Sequence, residues 1–192
     1  MTLRTLVSAK LDGSDGYFEV ASILQFWSEA GPTRWFAKDA EFDTEFRSRF
    51  LEHHLAAAAR RLDGWTVSAS GTLALVILLD QFPRNAFRDT AHMYATDPLA
   101  RMHASTGLAN GYDEQVATEM RLFFYLPFMH SENIDDQERS VELHRRLGRT
   151  MHAVQHYEII SRFGRFPHRN SVLGRGDTPE ERAFLDAGGF SG

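Results

Sequence analysis

Between Leu73 and Leu79 the chain reads LALVILL, seven residues without a polar side chain. That run falls far short of the roughly 20 apolar residues of a membrane span. A helix that is apolar on every face is enclosed by other elements of its own protein. The surrounding segment, SGTLALVILLDQF, therefore predicts a central helix, with Pro83 as its terminator. The rest of the chain must supply amphipathic partners to cover it.

Those partners are legible from an apolar period of three to four residues. YFEVASILQFWSEAGP sets Phe18, Ala21, Gln25, Phe26 and Glu29 at helical spacing and stops at Gly31-Pro32. DAEFDTEFRSRFLEHHLAAAARRLDG carries a stripe of Phe42, Phe46, Phe50, His53 and Ala57 and is expected to end at Gly64. TDPLARMHASTGLANG has a Pro just inside its start and Gly at its end. EQVATEMRLFFYLPFMH is a second strongly apolar helix, closing near Pro127. DDQERSVELHRRLG opens on a capping box from Asp135 to Glu138, and RTMHAVQHYEIISRFG ends on Gly164. TPEERAFLDAGG carries another box, from Thr178 to Glu181. Alternating β-branched runs are scarce, which argues against strands. The fold class is all-α: about eight helices on short connections, packed as antiparallel hairpins in a tetratricopeptide-like right-handed stack or a bundle. No repeat of roughly 34 residues can be read off to demonstrate the stack.

A chain of 192 residues has room for one substantial core and not for two. Residues 1–16 are expected to form a frayed extension and 17–192 a single helical domain. The opening MTLRTLVSAKLDGSDG lacks the apolar run and cleavage site of a signal peptide. With no Cys there is no disulfide framework, thiolate nucleophile or thiolate metal site, which fits the cytoplasm. No cofactor or metal is called for. A net charge of −5 argues against a membrane partner and does not indicate nucleic acid. Nine Arg against five acids from Arg139 to Arg182 nevertheless make the C-terminal quarter basic. Nineteen of the 21 basic residues are Arg, whose planar fork suits carboxylate and phosphate.

Two motifs echo each other, DQFPRN at Asp80 to Asn85 and FGRFPHRN at Phe163 to Asn170. Asp80 lies at the end of an apolar helix, where the macrodipole disfavours a carboxylate, so a cation must offset it. Arg84 and a distant Arg are both open as that cation. In FGRFPHRN, Gly164 closes a helix and Pro167 stiffens the backbone from which Arg165, His168 and Arg169 fan out. Little ordering entropy then remains to be lost when an anion is bound. Both motifs are expected to meet in space, since neither Asp80 nor Arg169 is comfortable buried alone. His130-Ser131-Glu132 follows an apolar helix, where functional side chains collect, with Ser131 expected as a helix N-cap. A Ser-based triad is disfavoured because no Gly-x-Ser-x-Gly elbow is present. His152 and His156 share a helix face, without the HExxH pattern of a zinc site.

LLDQFPRN, FFYLPFMHSE and FGRFPHRNSVLGRGDTPEERAFL together resemble the bacterial family catalogued as domain of unknown function 924, over about residues 18–187. The resemblance implies an all-helical, tetratricopeptide-like fold and no established activity. Function must then be read from the residues. They point to a pocket for a small anionic, above all phosphorylated, ligand, with Arg84, Asn85, Arg165, His168, Arg169 and Asn170 holding it. Asp80, His130, Glu132 and His156 are the candidates for acid–base work. One rival is a hydrolase, metal-assisted or not, acting on a phosphate ester or nucleic-acid end. Another is an interaction module that binds a peptide in a groove.

Overall fold

In a computed structural model, residues 13–190 are described; the expected extension lies largely outside them, and Gly13 to Gly16 belong to the first helix. The elements are α1 (Gly13–Trp35), α2 (Ala40–Ala58), α3 (Ala69–Val76), α4 (Phe82–Ala86), α5 (Asp97–Ala109), α6 (Leu122–Met129), α7 (Ile134–Arg146), α8 (Met151–Phe163) and α9 (Pro179–Asp186). Short 3-10 turns join them, and no strand occurs among the described residues. None of the helices is long and apolar enough to cross a membrane. The all-α expectation holds. Since α3 and α4 are one continuous helical path, the expected number of helices holds as well.

That path is the centre of the molecule. Residues 71–83 are buried without a break, and α3 is covered by α1, α5 and α6. Gly107 of α5 sets how closely this layer packs, since a Cβ there would come 2.5 Å from Phe124 Cε1. From α2, Phe42, Phe46 and Phe50 repeat every fourth residue into the core and meet Phe26 and Trp27 of α1. Phe82 closes the cluster edge-on to Phe46, 5.0 Å between centroids. The fourth member of the α2 stripe is the fully buried His54, where the sequence pattern pointed to His53.

Several expected boundaries move. α2 ends at Ala58, before Gly64, because Arg60 takes a left-handed φ of 61°. At Gly31 the backbone does kink, with φ 67°, but a further turn runs on to Trp35. Pro127 lies inside α6, which continues to Met129. The cap of α7 is Asn133, whose side chain accepts from the Asp135 and Asp136 amides; neither Ser131 nor a box at Asp135 caps it. Gly164 (φ 68°) and the Thr178 box with Glu181 are as expected.

The correction with most consequence is at Pro83, which does not end the central helix. Between α3 and α4, Ile77–Gln81 widens into one π turn, and the Phe82 amide reaches back to the Ile77 carbonyl. An α-helical Pro83 would offer no amide to Leu79 and would press its ring on that carbonyl. The wider turn removes the conflict and releases backbone carbonyls, which side chains then take. His54 Nδ1 donates to Leu78 O at 2.9 Å, Thr96 Oγ1 to Leu79 O at 2.6 Å and Arg84 Nη1 to Asp80 O at 2.5 Å. Thr96→Val, which keeps the shape and deletes the donor, is expected to lower stability by about 1–3 kcal/mol in urea unfolding, the cost of a buried acceptor left unpaired.

Candidate functional site

The wide turn carries a buried charge system. Asp80, fully buried, has three partners: Gln81 Nε2 at 2.5 Å, His130 Nδ1 at 2.8 Å and Arg84 Nη1 at 3.2 Å. Burial alone would raise its pKa. The Arg84 charge, His130 and these hydrogen bonds prevail and hold it below the usual carboxylate range. Arg84 makes a two-pronged pair with Asp97 in the first turn of α5, at 2.9 and 3.0 Å. Burial opposes the Arg84 charge, but Asp80 and Asp97 outweigh it and raise its pKa.

FGRFPHRN arrives at the same place. Its Pro167–Arg169 turn sets the Arg169 guanidinium between the rings of Tyr94 and Phe166, 4.3 and 4.4 Å from their centroids. Arg169 Nη1 lies 3.7 Å from Asp97 Oδ2. The two motifs therefore meet, with Asp97 between Arg84 and Arg169, whereas Asp80 is matched by Arg84 and His130. Burial lowers the Arg169 pKa, and its Nε has no hydrogen-bond partner among the described residues. It is a guanidinium short of acceptors in a nearly closed environment.

Arg169 borders a cavity of about 630 Å³. Arg84, Arg88, Arg149 and Arg169 line it, and among the described residues no carboxylate does. Histidines come from three directions: His130 after α6, His144 at the end of α7, and His152 and His156 on α8. His168 joins them from the Pro167 turn. Burial first, then the nearby cationic groups, pushes His156 down to about 3 and His168 to about 4. Burial and Arg84 lower His130 in the same direction. These shifts favour the neutral form of the His130, His156 and His168 rings. Asn85 Nδ2, His144 Nε2 and His168 Nδ1 are buried without a protein partner, like Arg169 Nε. Apolar residues line the cavity as well: Leu122, Leu126 and Met129 are buried, while Phe36 and Met151 are 60% and 72% exposed.

Of the residues expected to hold an anion, Arg84, Asn85, His168 and Arg169 line the cavity. Arg165 and Asn170 do not. Arg165 grips Glu181 through Nε and Nη2 at 2.5 and 2.7 Å, and Asn170 is bonded to Asp177 and Arg175. Among the acid–base candidates His130 and His156 line the cavity and Asp80 stands behind His130. Glu132 is turned away: it accepts from both Nη atoms of Arg175 and from the Phe166 amide. It anchors the Pro167 turn. Asp97, Tyr94, His144 and Arg175 escaped the sequence reading. Asp97 looked like an ordinary first-turn acid, and only the need to match two buried arginines could have singled it out.

Against known families, residues 23–189 match the model of the bacterial proteins of unknown function termed DUF924. The chain belongs to this family. It is also similar to the solved structure of a protein of unknown function, ATU0120 from Agrobacterium tumefaciens. That likeness has 53% sequence identity and a TM-score of 0.88, and it covers 90% of this chain and 99% of that one. No curated protein matches the chain. The family assignment agrees with the resemblance carried by the three motifs and leaves the activity to the cavity itself. Among the described residues, no group of three or more His, Asp or Glu is arranged to hold a metal ion.

The charge system generates a stability prediction. Asp97→Asn leaves Arg84 with Asp80 alone and takes from Arg169 its one carboxylate neighbour among the described residues, and is expected to cost about 3–5 kcal/mol in denaturant unfolding. Arg162→Ala, at the exposed pair with Glu180, is expected to cost less than about 1 kcal/mol in the same assay.

Proposed function

We propose that this protein binds a small organic anion in the cavity, with a carboxylate or phosphate head at Arg169 and an apolar body along Leu122, Leu126 and Met129. The observation that carries the reading is Arg169 itself. Arg169 is 6% exposed and borders a cavity, and among the described residues its Nε lacks a partner and its nearest carboxylate lies at 3.7 Å. A buried charge in that condition gains most from a ligand that supplies both acceptor oxygens and counter-charge. Asn85, His144 and His168 supply further polar atoms around the same space. Arg84 is already saturated by Asp80 and Asp97, so its role in this reading is to position the ligand end of the cavity. The apolar wall selects against bare inorganic anions, because a ligand without an apolar body leaves that surface wet.

Thermal unfolding with octanoate, octyl phosphate, inorganic phosphate and octanol separates these contributions. At about a hundredfold excess over Kd, either octyl anion is expected to stabilise by about 2.7 kcal/mol and raise Tm by roughly 5–10 °C. Octanol and phosphate are expected to do much less. Arg169→Lys keeps the charge but loses the planar fork, so affinity should fall by roughly 1–3 kcal/mol with the fold intact. Equal responses of wild type and Arg169→Lys would place the ligand elsewhere.

The neutral histidines add a pH dependence of definite sign. A bound anion raises the pKa of His156 and His168 from about 3 and about 4, so binding takes up protons wherever pH lies between the free and bound values. Octanoate affinity measured by calorimetry should therefore strengthen as pH falls into the range between those free values and the raised values of the bound state. The heat should depend on the buffer there, and this dependence should fade above neutrality.

A further inference from the structure

Anion capture alone does not explain how His130 is held. Its Nδ1 lies 2.8 Å from Asp80 Oδ1, and Asp80, ionised, can only accept. Nδ1 therefore carries the ring hydrogen and Nε2 keeps its lone pair. Nε2 makes no hydrogen bond to a described residue, and the ring borders the cavity. A carboxylate that fixes one imidazole nitrogen as donor leaves the other as a base of set direction. Gln81 Nε2, at 2.5 Å from Asp80 Oδ2, holds the carboxylate in turn. Arg169 borders the same cavity and is suited to an oxygen on which negative charge develops. Leu122, Leu126 and Met129 also line it, a surface that an acyl chain would cover.

We infer that the cavity hydrolyses an ester of an apolar carboxylic acid, with His130 as general base, Asp80 as the residue that positions it, and Arg169 facing the oxygen that turns negative. The inference rests on the anion site proposed above: the acid released is the anion that Arg169 holds. Water gives a proton to His130 Nε2 while its oxygen bonds to the ester carbon, and the carbonyl π pair moves onto the oxygen beside Arg169. Collapse re-forms the carbonyl and breaks the bond to the alcohol oxygen, which takes the proton from Nε2. Ester and water become acid and alcohol, the released acid giving its proton to solvent, and no oxidant or reductant enters. His130 faces Asp80 on the wide turn, Arg84 on α4 and Asp97 on α5, and it couples electrostatically to His144 on α7, His156 on α8 and His168 on the Pro167 turn. Burial first, and the Arg84 charge second, prevail over Asp80 and Asp97 and lower the pKa of the imidazole, which favours the neutral form that can act as a base.

The test is hydrolysis of 4-nitrophenyl octanoate by the full chain, with octanoate as inhibitor. Wild type should release 4-nitrophenol saturably, and octanoate should compete. His130→Gln should lower kcat by on the order of 100- to 10,000-fold while octanoate still raises Tm as in wild type. His130→Ala should regain activity with added imidazole. Asp80→Asn should reduce kcat more than it changes KM and should displace the pH profile. In wild type, kcat/KM should be level near neutrality and fall on acidification through a pKa below 6.5. Octanoate binding with hydrolysis no faster than in buffer overturns the base and leaves the anion site standing. Neither binding nor hydrolysis overturns both. Full activity in His130→Gln, or no imidazole rescue of a folded His130→Ala, also removes His130 as the base. If neither variant folds, the wild-type pH profile decides, and a rate indifferent to pH across the histidine range overturns the proposal.

Discussion

Asp80 is a fully buried carboxylate set in the wide turn of the central helical path. Such a group survives in ionised form only if cations and hydrogen-bond donors surround it completely. Arg84, His130 and Gln81 meet that demand. Arg84 needs a second acid and finds it in Asp97, which draws α5 toward the central helix and leaves an oxygen turned to Arg169. Satisfying one buried charge has thus recruited residues from α4, α5, the end of α6 and the Pro167 turn. The walls of the cavity are the outer faces of that recruitment.

The backbone beneath Asp80 solves a related problem. A proline two residues from the end of an α-helix would cost it a hydrogen bond and a steric clash, whereas a proline just beyond a π turn meets neither difficulty. The carbonyls released there fall to His54, Thr96 and Arg84, so the irregular turn is tied to α2, to the segment before α5 and to the charge system. Its side chains hold fixed directions, which matters for a site whose groups must converge.

The all-α class, the enclosed helix and the boundaries at Gly164 and Thr178 were legible because they rest on local periodicity, a glycine terminus and a capping box. The meeting of DQFPRN and FGRFPHRN was legible too, from the discomfort of buried charges. The partner of each charge was not. Glu132 and Arg165 look in sequence like site residues, but Arg175 and Glu181 lie within reach and take them. Asp97, Tyr94 and His144 lie in ordinary helical surroundings, and only tertiary packing brings them to the cavity. The π turn was equally hidden: in sequence, a proline after an apolar helix reads as a stop.

Trp35 owes its place to the kink at Gly31. The extra turn carries its indole into the core, where Nε1 donates to Trp27 O at 2.6 Å and the two rings stack at 6.4 Å, while its remaining edge borders the cavity. The molecule therefore carries an optical reporter at the cavity, and occupancy of that space should be readable in tryptophan emission without any added dye.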